Sequence, residues 1–429
     1  MRVIADLHIH SRYSRATSIK MNIPEIARFA RIKGLNLIGT GDFTHPRWME
    51  GLKRDLEEVG DTGLYRPRFD PTSPVRFMIT GEVSTIFTFR GRIRKVHHVV
   101  LTPSIEVAEQ VNDRLGKYGD LLMDGRPVFN TTAAEIVEEI MEASADNVVI
   151  PAHAWTPWFS LFGAFSGFDR LEDCYQDMSN YIFAIETGLS SDPPMNWRLS
   201  ALDEYALVSN SDSHSAWPWR IGREASVFEI DEDRFTYDEI VDAIRLKDAR
   251  RFRFTIEVDP RYGKYHETGC RRCGISVSPR RAIALKGRCP VCHKRLTKGV
   301  EARVDELADR EYGFRPEGTV GYMHLLPLHE VIASAIGVRS FTTEGVWRIY
   351  NQLVKRFGDE YTVLMEAPQR EMAKMIDPRV AEAIVRVRRG RVKIRAGYDG
   401  VYGVVEIFGE EEGEGKEEGR PALETFFEA

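Results

Sequence analysis

Seven short apolar runs in the first half of the chain are spaced so that nearly every one carries a metal-ligating side chain at or near its carboxyl end. The runs are VIADLH (3–8), LNLIG (35–39), RFMIT (76–80), VHHVVL (96–101), NVVIPAH (147–153), FAIET (183–187) and YALVSN (205–210). They alternate with helical patterns, one opened by Asn22 and Pro24 and running to about Lys33, another at about 133–144. This is a β-α-β reading. It predicts an α/β fold, a closed barrel whose ligand-bearing strand ends share one mouth, where parallel barrels build active sites.

His8 and His10 stand two apart at the end of the first run, so both rings point the same way. Asp42, Glu82, His97 or His98, His153, Asp212 and His214 follow on later runs. A lone histidine is more often a satisfied core or surface residue, but chance does not place a whole set at strand ends. Such N/O donors suit zinc or manganese. Paired divalent cations acidify water and hold the attacking and leaving oxygens of a phosphate ester in line.

An HxH in the first strand, a lone Glu, a mid-chain His and a closing DxH resemble the PHP (polymerase and histidinol phosphatase) superfamily, over about residues 1–250. The resemblance implies a distorted (β/α)7 barrel with two or three divalent metals (zinc, manganese or magnesium). His8, His10, Glu82 and Asp212 would hold one, Glu82 would bridge to a second held by His97 and His153, and His214 would serve a third. Asp212, Glu82 and His8 would be the catalytic set. Strand alternation lets only one of His97 and His98 face inward, and His97 fits the family spacing better. The chain departs from the pattern at 11–16, which lacks an acid or His, and at TGDFTH, where Phe43 follows Asp42. Asp42 is assigned as a ligand, with His45 the weaker candidate.

Cys270-x2-Cys273 and Cys289-x2-Cys292, fifteen residues apart, predict a closed four-thiolate structural zinc site, one per chain. Cys174 reads as a buried small residue. The formal net charge is −6, yet residues 409–429 hold eight acids and two bases, so the rest is neutral overall. Within it, residues 261–300 carry eleven Lys/Arg against the single Glu267. Arg271, Arg272, Arg280 and Arg281 lead this segment, and its expected target is a nucleic-acid backbone. A second basic stretch, 379–395, includes Arg388 and Arg389 and runs into Tyr398, offered as a base-stacking ring.

Organisation follows from these signals: a phosphoesterase barrel at 1–255, a four-cysteine module at 256–310, and a helical DNA-binding region at 311–408. Helices are predicted at 325–338, 344–357 and 379–389, with a hairpin at 392–408 turning at Asp399-Gly400. The last segment, 409–429, is an acidic Gly-rich linker ending in Leu423, Phe426 and Phe427 at i, i+3, i+4. That ending resembles the peptide that docks on a sliding clamp, with Arg420 where the motif usually has Gln. No apolar run approaches the roughly 18 residues of a membrane span, and the amino terminus enters a strand pattern without a basic leader, so a cytoplasmic protein is expected.

Barrel, four-cysteine insertion and GYDGVYG hairpin together are similar to the endonuclease Q family of PHP-type DNA repair nucleases, over nearly the full length. The resemblance implies cleavage on the 5′ side of a deaminated base (hypoxanthine, uracil, xanthine) or an abasic site, leaving 3′-hydroxyl and 5′-phosphate ends. Two other readings stay open: a small-molecule phosphatase using the same metals, and a non-catalytic zinc-ribbon DNA-binding scaffold.

Overall fold

The computed structural model describes residues 1–408, so the clamp-like residues Leu423, Phe426 and Phe427 lie outside the described part. It is a mixed α/β fold around a central sheet. Local signals set the element ends. In helix Ile23–Lys33 the Asn22 side chain accepts from the Glu25 amide, and Gly34 stops the helix at φ 97°. Helix Ala133–Ala143 opens on a reciprocal Thr132–Glu135 capping box.

One continuous set of ladders runs through strands Phe252–Glu257, Ala225–Glu229, Arg2–Asp6, Leu37–Gly39, Arg76–Phe89, Arg92–Thr102 and Val148–Pro151. Strands Ala184–Glu186 and Ala206–Val208 form their own parallel pair. Single bonds join this pair to the rest: Ala154 N donates to Glu186 O at 2.9 Å, and His10 N donates to Ser213 O at 2.9 Å beside an Ile9–Ser213 bridge.

The expectation of consecutive parallel strands fails at one strand, VHHVVL, which pairs antiparallel with both RFMIT and NVVIPAH. RFMIT and VHHVVL are arms of a single long antiparallel hairpin, Arg76–Phe89 with Arg92–Thr102, with no helix between. The reason is local: β-branched and aromatic residues (Val83, Thr85, Ile86, Phe87, Thr88, Phe89) carry the strand on past Glu82, and Arg90 and Gly91 both take positive φ (48° and 73°), the two-residue turn that matches strand twist. Gly321–His324, placed by sequence in the helical region, pairs in parallel with Phe252–Glu257 and extends the central sheet.

Helices Leu328–Ala335, Glu344–Phe357 and Pro378–Arg388 occupy the predicted places, joined by the unpredicted Glu360–Met365. Strands Lys393–Arg395 and Val404–Glu406 pair, with Asp399 and Gly400 at positive φ between them. One apolar cluster runs from Ile4 in the first strand to Ile407 at the end, so the helical region shares a core with the sheet. Among the described residues no helix is long and apolar enough to cross a membrane.

Candidate active site

The first strand ends at Asp6, an isolated bridge pairs Ile9 with Ser213 just beyond it, and His8 and His10, on either side of Ile9, both enter the same donor group. In the hairpin, Glu82 lies two residues before Ser84, which pairs with His97. Cross-strand partners share a face, so His97 points with Glu82, and its Nδ1 is 2.8 Å from Glu82 Oε1. His98 points the other way, onto Thr85 Oγ1 (3.0 Å) and Tyr175 OH (2.9 Å). Burial pushes the His98 imidazole down to about 3, so it stays neutral in the core.

Two groups of donors result. His8, His10, Glu82 and Asp212 form one; Glu82, His97 and His153 form the other, each with its ligand atoms within 4.8 Å of one another. Glu82 belongs to both, and its two oxygens divide the work. Oε2 lies 3.2 Å from His10 Nε2 and 3.6 Å from His8 Nε2; Oε1 lies 2.8 Å from His97 Nδ1 and 3.3 Å from His153 Nε2. Despite these short separations, His8 Nε2 and Glu82 Oε1 are buried with no hydrogen bond of good geometry, although buried polar atoms normally have one. A cation between the donors would satisfy both. Burial would push Glu82 up, but His97, His8 and the Arg126 guanidinium, whose Nη1 is 3.0 Å from Oε2, hold it well below the usual carboxylate range.

Strain concentrates here. Asp42, His153 and Asp212, all non-glycine, sit at positive φ of 50°, 30° and 47°, each just past the end of a strand. At these turns the backbone leaves the sheet, and the His153 and Asp212 side chains enter the cluster while Asp42 meets His10 from behind.

Asp42, expected among the ligands, stands one layer behind them. Its Oδ1 is 2.9 Å from His10 Nδ1, and its Oδ2 accepts from Ser11 N, Ser11 Oγ and Ser14 Oγ at 2.6, 2.6 and 2.9 Å. Both oxygens are spent, so Asp42 orients His10. His214 also lies outside both groups, its ring 4.3 Å from His10 and its Nδ1 3.0 Å from Asp212 O. His45 stacks on Tyr13 at 4.3 Å. Among the described residues no third cluster of such donors forms around His214.

Sequence reasoning missed Glu186 and Arg126. Glu186 is fully buried behind His8: both oxygens are 3.0 Å from His8 Nδ1, and it accepts from His153 N (2.7 Å) and Asn210 Nδ2 (2.9 Å). That fixes the His8 Nδ1 proton and aims Nε2 at the cluster. The available signal was an acid inside the apolar run FAIET, where an unpartnered charge cannot sit. Arg126 lies in a loop, and no local pattern marks it.

The four cysteine sulfurs converge, with Cys270 and Cys292 Sγ 3.8 Å apart and no disulfide. His266 and His293 stay outside the group. Cys270, Cys289 and Leu296 form the module's small buried cluster, with Cys273, Ile275, Val277 and Cys292 packed partly buried against it. Arg271, Arg272, Arg280 and Arg281 are exposed around it.

Two of the expected DNA contacts face elsewhere. Arg388 caps helix Glu360–Met365 and the turn after it, donating to Leu364 O, Val363 O and Ala367 O at 2.7, 3.0 and 2.9 Å, while neighbouring Arg389 is exposed. Tyr398 lies against Gly269 so closely that a Cβ there would meet its ring at 2.5 Å; it fastens the closing hairpin to the cysteine module.

Residues 327–391 match the family model of the MJ0043 C-terminal domain. The MJ0043 protein of Methanocaldococcus jannaschii is 35% identical over 261 residues, which are 59% of this chain and 31% of that protein. The YqxK protein of Bacillus subtilis is 28% identical over 420 residues, 94% of this chain and 99% of its own. Among solved structures, the lesion-specific endonuclease Q of Pyrococcus furiosus superposes with a TM-score of 0.84 at 35% identity, covering 96% of this chain and 98% of that one. An endonuclease Q complex with a 27-mer duplex bearing an abasic lesion at its active site gives 0.83 at 35% identity, covering 96% and 99%. With sequence and fold shared over almost the whole of both chains, the protein belongs to the endonuclease Q family.

Proposed function

We propose that the protein is a metal-dependent DNA repair endonuclease that hydrolyses the phosphodiester 5′ to a deaminated base or abasic site, leaving 3′-hydroxyl and 5′-phosphate ends. The observation that carries the reading is the division of Glu82 between two donor groups, with buried His8 Nε2 and Glu82 Oε1, neither in a hydrogen bond of good geometry, pointing between them. These residues fit two divalent cations, Zn2+, Mn2+ or Mg2+. When bound, such a pair supplies a nucleophile at neutral pH and charge stabilisation for an in-line displacement.

The chain's own groups have distinct tasks. Glu186 and Asp42 hold the His8 and His10 rings from behind, so the near nitrogens face the reacting centre without reorganising. Asp212, about a third exposed, stands at the mouth, where an incoming phosphate would pass. Arg126 places a fixed cation 3.0 Å from Glu82 on the same side, suited to a phosphate oxygen. The fold is read as a distorted PHP-type (β/α)7 barrel, its ring completed by the single bonds at Ala154 and His10. The cysteine module is read as a zinc ribbon, and its exposed arginines as backbone contacts to duplex DNA.

A lesion read by its base edge has to leave the stack. A cleft of about 410 Å³ lined by Asp192, Asp259, Arg261, His266 and His324 opens past the ends of strands Ala184–Glu186, Phe252–Glu257 and Gly321–His324. Its carboxylates and cations offer acceptors and donors to an extruded base edge, and it takes the place first given to Tyr398. A DNA-processing enzyme of this kind works in the cytoplasm. The test is a panel of duplexes, each with one altered base or an abasic site, with every nick mapped: cleavage 5′ to the lesion is expected. Hydrolysis of a chromogenic phosphate monoester with no nick on any duplex would instead make it a small-molecule phosphatase.

A further inference from the structure

The loop that follows His153 carries an aromatic step that the hydrolytic cluster does not use. Trp158 and Phe165 stack with centroids 4.9 Å apart at 17°, and Tyr265, at the entrance to the cysteine module, meets Trp158 edge-on at 5.4 Å. Both stacked rings stand in solvent, 44% and 48% exposed. Single exposed hydrophobics are ordinary, but a packed aromatic step open to water marks a binding surface.

The loop is held in place. Phe159 takes φ 57°, its O accepts from His97 N at 3.2 Å, and its N donates to Ser166 Oγ at 2.9 Å. Phe165 N donates to Pro157 O at 3.0 Å. The Phe159 ring lies 4.8 Å from the His97 ring, so the exposed step begins one residue from the donor cluster. Cations flank it. Lys95 Nζ lies 4.9 Å from the centre of Phe159, and Lys264 Nζ lies 5.5 Å and 5.8 Å from Tyr265 and the exposed Tyr402. Flat aromatic faces interleaved with cations, on a rigid loop beside the reacting centre, are what a partly unstacked polynucleotide requires: ring for base, ammonium for phosphate.

We infer that Trp158 and Phe165 form a positioning platform on which a base next to the cleaved phosphodiester stacks, replacing the stacking lost when the neighbouring nucleotide leaves the helix. The inference rests on the proposed nuclease function. Its test reads binding alone, whereas that function stands or falls on the mapped nicks, so the two can fail separately.

The experiment uses the full chain carrying Asp212→Asn, so that DNA stays intact, and a duplex with 2-aminopurine beside an abasic site. Binding by this parent is expected to change the 2-aminopurine fluorescence. Adding Trp158→Ala with Phe165→Ala should abolish that change and weaken binding about ten- to a hundred-fold, the scale of one or two lost base-aromatic stacks. Trp158→Phe, which keeps a ring, should preserve both. A double alanine variant that binds and perturbs the probe as the parent does overturns the inference and leaves the step to a protein partner. A Trp158→Phe variant that fails as the alanine variant does also overturns it, since the ring would then serve only loop packing.

Discussion

At the residue scale the site depends on which nitrogen of each histidine faces forward. Glu186 takes His8 from behind and Asp42 takes His10, so neither ring has freedom to turn its other edge to the cluster. Replacing Glu186 by Gln keeps its shape and removes its charge. The cost expected for such an orienting partner is about 10- to 100-fold in metal affinity or cleavage rate, with DNA affinity unchanged; metal content and single-turnover cleavage measure it, and a variant equal to the parent in both would make Glu186 structural only. His8→Ala and Asp212→Asn should abolish cleavage while leaving DNA binding largely intact. Retained cleavage in both would dismantle the assignment of the cluster.

At the element scale, helix Leu328–Ala335 buries His329 completely, its ring 3.9 Å from Tyr350 and 4.5 Å from Trp347, with neither nitrogen hydrogen-bonded. Burial pushes its pKa down to about 4 from an ordinary 6.5. The sign follows from which state takes the proton. Above pH 6.5 both states hold a neutral ring and stability is full; between 6.5 and 4 the unfolded chain binds a proton that the folded chain refuses, so stability falls as pH falls. The loss by pH 4 is at most roughly 3 kcal/mol. His329→Leu should flatten that acid limb in denaturant titrations from pH 7 to pH 4, and an unchanged limb would locate the sensitivity elsewhere. The cysteine module supplies a second case. If its four sulfurs hold a cation, as proposed, that cation ties together a module whose apolar cluster is only Cys270, Cys289 and Leu296, so chelation should raise amide exchange across 268–297 and leave helix Glu344–Phe357 protected.

At the scale of the whole molecule, the helical region and the sheet are joined by a buried ion pair. Lys33 Nζ lies 2.7 Å from Glu360 Oε1, with side-chain exposures of 1% and 0%. Pro218 O, Leu328 N and Tyr350 OH complete the hydrogen bonds of the pair. Removing one partner leaves an uncompensated buried charge, so Glu360→Gln is expected to cost about 3–5 kcal/mol in urea unfolding. Lys33→Met with Glu360→Met should cost markedly less. Equal losses in both variants would show that packing, not charge, holds the two parts together.

What the sequence determined by itself was local. Periodicity and caps gave helices Ile23–Lys33 and Glu344–Phe357, alternation gave His8 and His10 a common face, and paired CxxC motifs announced a four-sulfur site. Each of those signals is written within a few residues. The antiparallel hairpin that decides between His97 and His98 could be read only once its register was known, because a one-residue slip exchanges the two faces. Glu186 behind His8, Asp42 behind His10 and Arg388 turned inward onto a helix end were decided by contacts between residues 178, 32 and 24 positions apart in the chain. A carboxylate or guanidinium in a sequence shows its charge but not its partner, and only the tertiary fold settles whether it meets a metal, a histidine, a carbonyl or the solvent.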